Sequence, residues 1–180
     1  MSGWTDLARR IRVPLGFAFA IFYLWAARPT WNSLLLGALI CVPGLVLRAI
    51  ASGHVQKNAQ LTTTGPYAYT RNPLYLGSVI LACGFAVAAR SPWVALAMAA
   101  VFTAIYLPVI LAEEEFLRNR FPEFTDYARR VPRLVPRLAP AATREGVFSR
   151  QLYLQHREYN SLLGASAMMA ALAAKLMWLR

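Results

Sequence analysis

The chain has 180 residues, enough for one domain and too few for two comfortable ones. Apolar residues make up 58% against a usual ~45–50%, charged residues 15% against ~25%, and mean hydropathy is +0.42; together these exclude a disordered chain and argue against a water-soluble globule. The formal charge of +11 would suggest nucleic acid in a soluble protein, but in a membrane protein basic residues gather at the cytoplasmic face and meet anionic headgroups, so the expectation is an all-α polytopic membrane bundle with no nucleic-acid partner.

Five apolar stretches predict about five transmembrane helices. The first, residues 13–27, is bracketed by Arg9, Arg10, Arg12 and Arg28. Leu24 or Trp25 stands where a cleaved signal peptide needs a small residue, so it reads as an uncleaved span. The second, 33–50, carries Pro43-Gly44 as a kink, with Arg48 placed to snorkel at its end. The third runs over 73–89. The fourth, 92–112, has no charge and extends about 31 Å at ~1.5 Å per residue, enough to cross the hydrocarbon core unaided. Trp4, Trp25, Trp31 and Tyr75 provide interfacial anchors for the shorter stretches. The tight turn Arg90-Ser91-Pro92 makes spans three and four an antiparallel hairpin. After Glu113, Leu117, Phe121 and Phe124 recur at i, i+4, i+7 as in an amphipathic helix. Pro132, Pro136 and Pro140 then impose an extended path, on which Arg133 and Arg137 are expected at headgroups. The fifth stretch, 161–178, is Ala-rich, interrupted by Lys175, and reads as a further span.

Loop charges orient these spans. Arginines 9, 10 and 12 precede span one, Lys57 and Arg71 lie between spans two and three, and nine arginines fall in 113–160, whereas the other connections carry only Arg28 and Arg90. The positive-inside rule therefore puts the N-terminus, the 51–72 loop and the 113–160 segment on the cytoplasmic side of a membrane, expected to be a bacterial inner membrane. The organisation is a single membrane domain: 1–50 forms the first two spans, 51–137 a loop, hairpin and cytoplasmic helix, and 138–180 a C-terminal extension.

Cys41 and Cys83 lie in apolar runs, His54 and His156 are the sole imidazoles, and no CxxC or HExxH occurs, so no protein-bound metal is expected. Without carboxylates inside spans one, three and four, a cation pump is disfavoured. Two clusters remain. In the run 62–77, Gly65-Pro66 signals a turn and Asn72-Pro73 a helix start, with asparagine as N-cap and proline at the first helical position. The positive end of the helix dipole, beside Arg71, makes an anion site; a capped helix with a snorkelling arginine is the plainer alternative. Glu113-Glu114-Glu115 ends span four, either as the solvated start of a new helix or as a carboxylate site for a cation or ribose hydroxyls. The hairpin brings both clusters to one face. S-adenosyl-L-methionine, with its carboxylate, ammonium, sulfonium and ribose, matches both.

The run Gly65-Pro66-Tyr67, then Arg71-Asn72-Pro73-Leu74-Tyr75-Leu76-Gly77, a helical hairpin, Glu113-Glu114 with Leu117, Phe121 and Tyr127, and Arg130-Val131-Pro132 resembles the isoprenylcysteine carboxyl methyltransferase and phospholipid methyltransferase group over about residues 51–136. That resemblance implies an integral-membrane, S-adenosyl-L-methionine-dependent methyltransferase acting on a lipophilic acceptor. It implies cofactor contacts at Ala59, Gln60, Leu61, Thr62, Tyr67, Asn72, Pro73, Leu74 and Tyr75 and an acidic pair at Glu113 and Glu114; on that basis Glu114 is expected to hold the cofactor, Glu113 to orient the acceptor or the cofactor ammonium, and Arg71 to support the cofactor carboxylate or the loop. Two departures stand out: Asn72 replaces a histidine of the prenylcysteine-methylating members, and no basic residue occurs in 104–112, where those members carry an arginine. Prenylcysteine is therefore in doubt, and a phospholipid amine, another isoprenoid or a small lipophilic molecule stays open. The rival is a non-catalytic lipid-binding or assembly subunit on the same scaffold.

Overall fold

The computed structural model describes residues 16–56, 60–141 and 146–178. Among them seven helices follow in chain order and there is no strand: α1 (Gly16–Ala26), α2 (Trp31–Ser52), α3 (Pro73–Ala89), α4 (Pro92–Arg120), α5 (Phe124–Arg130), α6 (Arg150–Gln155) and α7 (Tyr159–Trp178), with a 3-10 turn at Gly65–Ala68.

A seam of small residues joins α2 to α3. On α2, Ser33, Gly37, Cys41, Gly44 and Arg48 recur at three- and four-residue spacing and so share one face. A Cβ added to Gly37 would lie 2.6 Å from the carbonyl oxygen of Gly84, and one on Gly44 would lie 2.9 Å from that of Gly77. The backbones approach because neither partner has a side chain there, the usual way helices associate where lipid removes the hydrophobic drive between them. The Ser33 hydroxyl donates to the carbonyl of Ala88 at 3.1 Å, and Cys41 is buried in the same seam. Thr30 and Ser33 form a reciprocal capping box that starts α2. The helix runs through Pro43 without interruption, and Gly44 works as a contact point with α3.

At one end of the bundle five helices meet. Tyr23, Ala27, Leu34, Ala88, Ala89, Val94 and Leu172 form a buried cluster drawn from or beside α1, α2, α3, α4 and α7. Lys175 donates to the carbonyls of Leu24, Trp25 and Ala27, closing the carboxyl end of α1 with a cation as the dipole favours. Lys175 therefore does not interrupt α7; it docks it. At the opposite end Glu158, just before α7, pairs with Arg48 at 2.6 Å, so α7 runs antiparallel to α2 over the height between those contacts. Outward faces are apolar at helical spacing, as in Phe17, Ile21 and Trp25 on α1 or Leu35, Leu39, Val42 and Val46 on α2. Water would make such stripes costly, whereas lipid makes them the normal exterior.

Three helices, α2, α4 and α7, are long and apolar enough to cross a membrane, and α1 and α3 are shorter apolar helices. The expected start of the first span, 13–15, lies outside the described residues. The expectation that α4 stops near 112 and a new amphipathic helix follows is corrected: α4 continues unbroken to Arg120, and only α5 is separate. Pro108 cannot donate to the carbonyl of Ala104. The helix absorbs this with a π segment at Phe102–Tyr106, in which the Leu107 N–H reaches back to the carbonyl of Phe102. Glu113-Glu114-Glu115 thus belongs to the last turns of α4 and is not the start of a new helix.

Gly37→Val and Gly84→Val should each force α2 and α3 apart and cost about 2–3 kcal/mol, because each added side chain would meet the backbone carbonyl of the facing glycine as well as the side chain of Ala88 or Cys41. Gly164→Val, with nothing within 4 Å of its added Cβ, should leave the thermal midpoint in detergent nearly unchanged.

Candidate active site

The site forms at the bundle end where α2 stops and α3 begins. Gly65 has φ +57°, open to glycine and strained for other residues, and the His54 ring fills the space a Cβ would need. The following 3-10 turn buries Tyr67. The proline-rich segment after α5 runs antiparallel beside this loop. The Arg71 N–H donates to the carbonyl of Pro132 at 2.9 Å, the Arg137 N–H to Tyr69 at 3.0 Å, and the Ala141 N–H to Ala68 at 2.9 Å. Arg137 and Ala141 each follow a proline, so the prolines set an extended path and the residues after them supply its donors.

Glu114 is the centre of this end. Its side chain is 4% exposed, and its oxygens face three donors. Asn72 Nδ2 donates to Oε1 at 3.1 Å and Arg71 Nη2 lies 3.5 Å from the same oxygen. Arg133 donates to Oε2 from Nε at 3.1 Å and Nη2 at 2.9 Å. The carbonyl of Arg133 accepts from both Asn72 Nδ2 and the Thr70 hydroxyl at 3.1 Å. A carboxylate this buried is offset by such charge-assisted partners in place of water. The hydrogen bond to Glu114 raises Arg133 above its ordinary value, against the opposing effect of its own burial. Arg71 Nε is buried with no hydrogen-bond partner, an N–H directed at nothing in the protein.

Beside the ion cluster, Tyr127 donates its hydroxyl to the carbonyl of Tyr67 at 2.8 Å. Burial pushes the Tyr67 phenol well above its usual value, with the charges of Tyr127, Glu113, Glu158 and Tyr75 adding to the shift. Burial likewise raises Tyr127; Arg71 opposes the shift and Glu114 adds to it. Tyr75 meets Tyr106 edge-on at 6.1 Å, and Tyr106 stacks on Phe102 at 5.9 Å, so the π segment of α4 sets an aromatic wall against the first turn of α3.

Of the residues singled out in the sequence, the structure brings Arg71, Asn72 and Glu114 into direct contact, with Tyr67, Pro73, Leu74 and Tyr75 on the same elements and Glu113 exposed one position from Glu114. Leu61 packs against the cluster of Phe124, Tyr127 and Val131 on the α5 side of the loop, Thr62 accepts from the Gln56 N–H within the loop itself, and Gln60 is exposed. Ala59 lies outside the described residues. Two expectations are corrected. Asn72 holds the N-cap position but its side chain does not cap α3, because charge-assisted contact with Glu114 draws the amide away. Arg133 is no headgroup contact alone: it closes Glu114. Only its place two residues after Tyr127-Ala128-Arg129-Arg130-Val131 hinted at this, and the partnership of Arg48 with Glu158 had no signal at all.

Residues 33–123, just over half of the chain, match the phospholipid methyltransferase family, and the chain belongs to this family of integral-membrane methyltransferases. Two curated relatives are the nickel-cobalt-cadmium resistance protein NccN of Alcaligenes xylosoxydans xylosoxydans and the cobalt-zinc-cadmium resistance protein CzcN of Cupriavidus metallidurans. Each is 40% identical over 84 residues, which is 47% of this chain and 39% of the relative. The chain thus spans about two-fifths of the length of the relatives it matches. No solved structure matches it.

Glu114→Ala should cost about 3 kcal/mol or more by stranding Arg71 and Asn72, whereas Arg133→Ala, which strips Glu114 Oε2 of its two donors but opens it to water where the 42%-exposed arginine stood, should cost less, about 1–3 kcal/mol, in the same denaturation measurement. Tyr67 and Tyr127 keep their protons above the ordinary value of about 10, so their contribution is complete below that pH and is lost as pH rises from it toward the native values. Tyr127→Phe should lower stability by about 1 kcal/mol at neutral pH and make the alkaline loss shallower in melts taken up to about pH 11.

Proposed function

We propose that the protein is an S-adenosyl-L-methionine-dependent methyltransferase that moves a methyl group to a lipophilic acceptor. The observation that carries this reading is the contact between the amino end of α3 and the acidic pair of α4, Asn72 to Glu114 at 3.1 Å, in a chain of a methyltransferase family. The residues present suit the cofactor. The unpartnered Arg71 N–H and the positive end of the α3 dipole suit a carboxylate, and the exposed Glu113 carboxylate suits an ammonium or ribose hydroxyls. Glu114, already saturated, would act by holding Arg71 and Asn72 in place.

When bound, S-adenosyl-L-methionine supplies a methyl group on a sulfonium that an acceptor displaces in line. The protein's part is alignment and exclusion of water, which asks for no strong nucleophile of its own. Burial favours the protonated, neutral form of Tyr67, while Tyr75, Tyr106 and Phe102 wall the site toward the apolar interior. For an amine acceptor, Glu113 is the exposed carboxylate positioned to take its proton. We place this end of the bundle at the cytoplasmic face of a bacterial inner membrane, with α1 and α3 completing five crossings and the acceptor arriving from the bilayer. The relatives are named for metal resistance, but among the described residues no group of three His, Cys, Asp or Glu side chains gathers as metal ligands. Methylation of a membrane constituent or lipophilic small molecule therefore fits better than metal capture.

Equilibrium binding of labelled S-adenosyl-L-methionine to the purified protein tests this reading. Wild type should bind saturably, Arg71→Gln and Glu113→Gln should bind at least about tenfold more weakly, and Glu115→Gln should match wild type. Absence of saturable binding to wild type would leave the scaffold alternative. Incubating membranes with radiolabelled donor and fractionating lipids and small molecules should identify the acceptor.

A further inference from the structure

The segment from Gly146 onward lies beyond the family match, which ends at residue 123, yet it packs directly behind the loop and helix start that carry the proposed cofactor contacts. Its approach is built by several contacts. The Ser149 N–H donates to the carbonyl of Gly53 at 2.9 Å, Phe148 covers Gly53 and meets the His54 ring, and a His156 ring nitrogen reaches the carbonyl of Ser52 at 3.0 Å. Between α6 and α7 the chain turns through Arg157 at φ +53°, a left-handed conformation that a non-glycine residue adopts at a cost. That turn aims Glu158 inward, where its side chain is 11% exposed.

Glu158 accepts from Arg48 Nε at 2.6 Å. The rest of the Arg48 guanidinium spans to α3: Nη1 donates to the carbonyl of Leu74 at 3.2 Å and to the Ser78 hydroxyl at 2.5 Å. The stem of Arg48 fits because Gly77 has no side chain; a Cβ there would lie 2.5 Å from Arg48 Cγ. A long arginine near a helix end ordinarily snorkels to the interface. Here a largely buried carboxylate holds it across the first turns of α3. Leu74 and Ser78 flank Tyr75, so the bridge acts on the turn that presents Asn72 and Tyr75 to the site.

We propose that Glu158 is a positioning residue of the cofactor site: it pins Arg48, and through Arg48 it fixes the first turn of α3, so that the C-terminal segment completes a site whose recognisable motifs all lie before it. This rests on the methyltransferase reading.

The test uses the full chain in detergent, with Glu158→Gln, Glu158→Asp, Arg48→Lys and, as a control for docking of α7 alone, Lys175→Gln. Three quantities are read: hydrogen exchange at the amides of residues 74–78 without ligand, affinity for S-adenosyl-L-methionine, and thermal midpoint. Glu158→Gln should speed exchange at 74–78 and weaken binding by about tenfold, with Glu158→Asp recovering part of both. Arg48→Lys, which keeps the charge but loses the fork that bridges two helices, should behave as Glu158→Gln. Lys175→Gln should lower the midpoint without moving either of the other quantities. The inference is overturned if wild type binds and Glu158→Gln binds as well as wild type, if exchange at 74–78 is unmoved, or if Lys175→Gln weakens binding equally. Wild type that binds no S-adenosyl-L-methionine overturns the methyltransferase reading, and this inference with it.

Discussion

A carboxylate at the carboxyl end of a largely apolar helix must be neutralised, and the arrangement of this end of the protein follows from how Glu114 meets that requirement. The helix dipole opposes it, its neighbours Glu113 and Glu115 repel it, and burial removes the water that would otherwise relieve both. Two separate pieces of chain converge to compensate: the stretch leading into α3, with Arg71 and the N-cap residue Asn72, and the segment after α5 with Arg133. Each also binds the other through backbone groups, as where the Arg133 carbonyl accepts from Thr70 and Asn72. Removing the charge would therefore loosen more than a single pair.

That convergence is possible only because α2 and α3 lie unusually close. Glycines at 37 and 44 meet glycines at 84 and 77, and the seam ends where Arg48 takes up the space beside Gly77. Close packing along two helices thus fixes the height of the α3 amino end, and the polar end inherits its register from an apolar contact. The same logic explains why α7 is held at both ends by charge, Lys175 on the carbonyls that end α1 and Glu158 on Arg48. Among apolar helices with no strong preference for one another, polar contacts at the ends select one alignment.

The helices were legible because their composition and breaks are local signals. The uncharged run after Pro92, the Arg90-Ser91-Pro92 turn and Asn72-Pro73 each announce themselves within a few residues, and the structure starts α3 and α4 where those signals fall. The run of α4 through Pro108 to Arg120 was not legible, since a π segment restores a helix that proline alone would break and leaves no composition of its own. At the site, Arg71, Asn72 and Glu114 were readable because the hairpin forces them together. Arg133 was read as a headgroup contact because nothing in a proline-rich, arginine-bearing stretch says which carboxylate it will find. Glu158 lies 110 residues from Arg48, and such a pair is set by how helices stack rather than by any spacing in the chain.

The charges that remain uncommitted bear on the function proposed for this end of the bundle. Glu114 is saturated by its own protein, Arg133 is spent on it, and Arg48 is spent on Glu158. Among the described residues this end leaves over one buried N–H of Arg71, in the loop before α3, and the exposed carboxylates of Glu113 and Glu115 on α4, opposite in sign and carried on different elements, beside phenols whose neutral form burial favours. A structural ion cluster would be expected to use every buried donor, because an unpaired one costs free energy and stabilises nothing. A site for a zwitterion needs this kind of remainder, a donor and a carboxylate held apart by groups that do not compete for them.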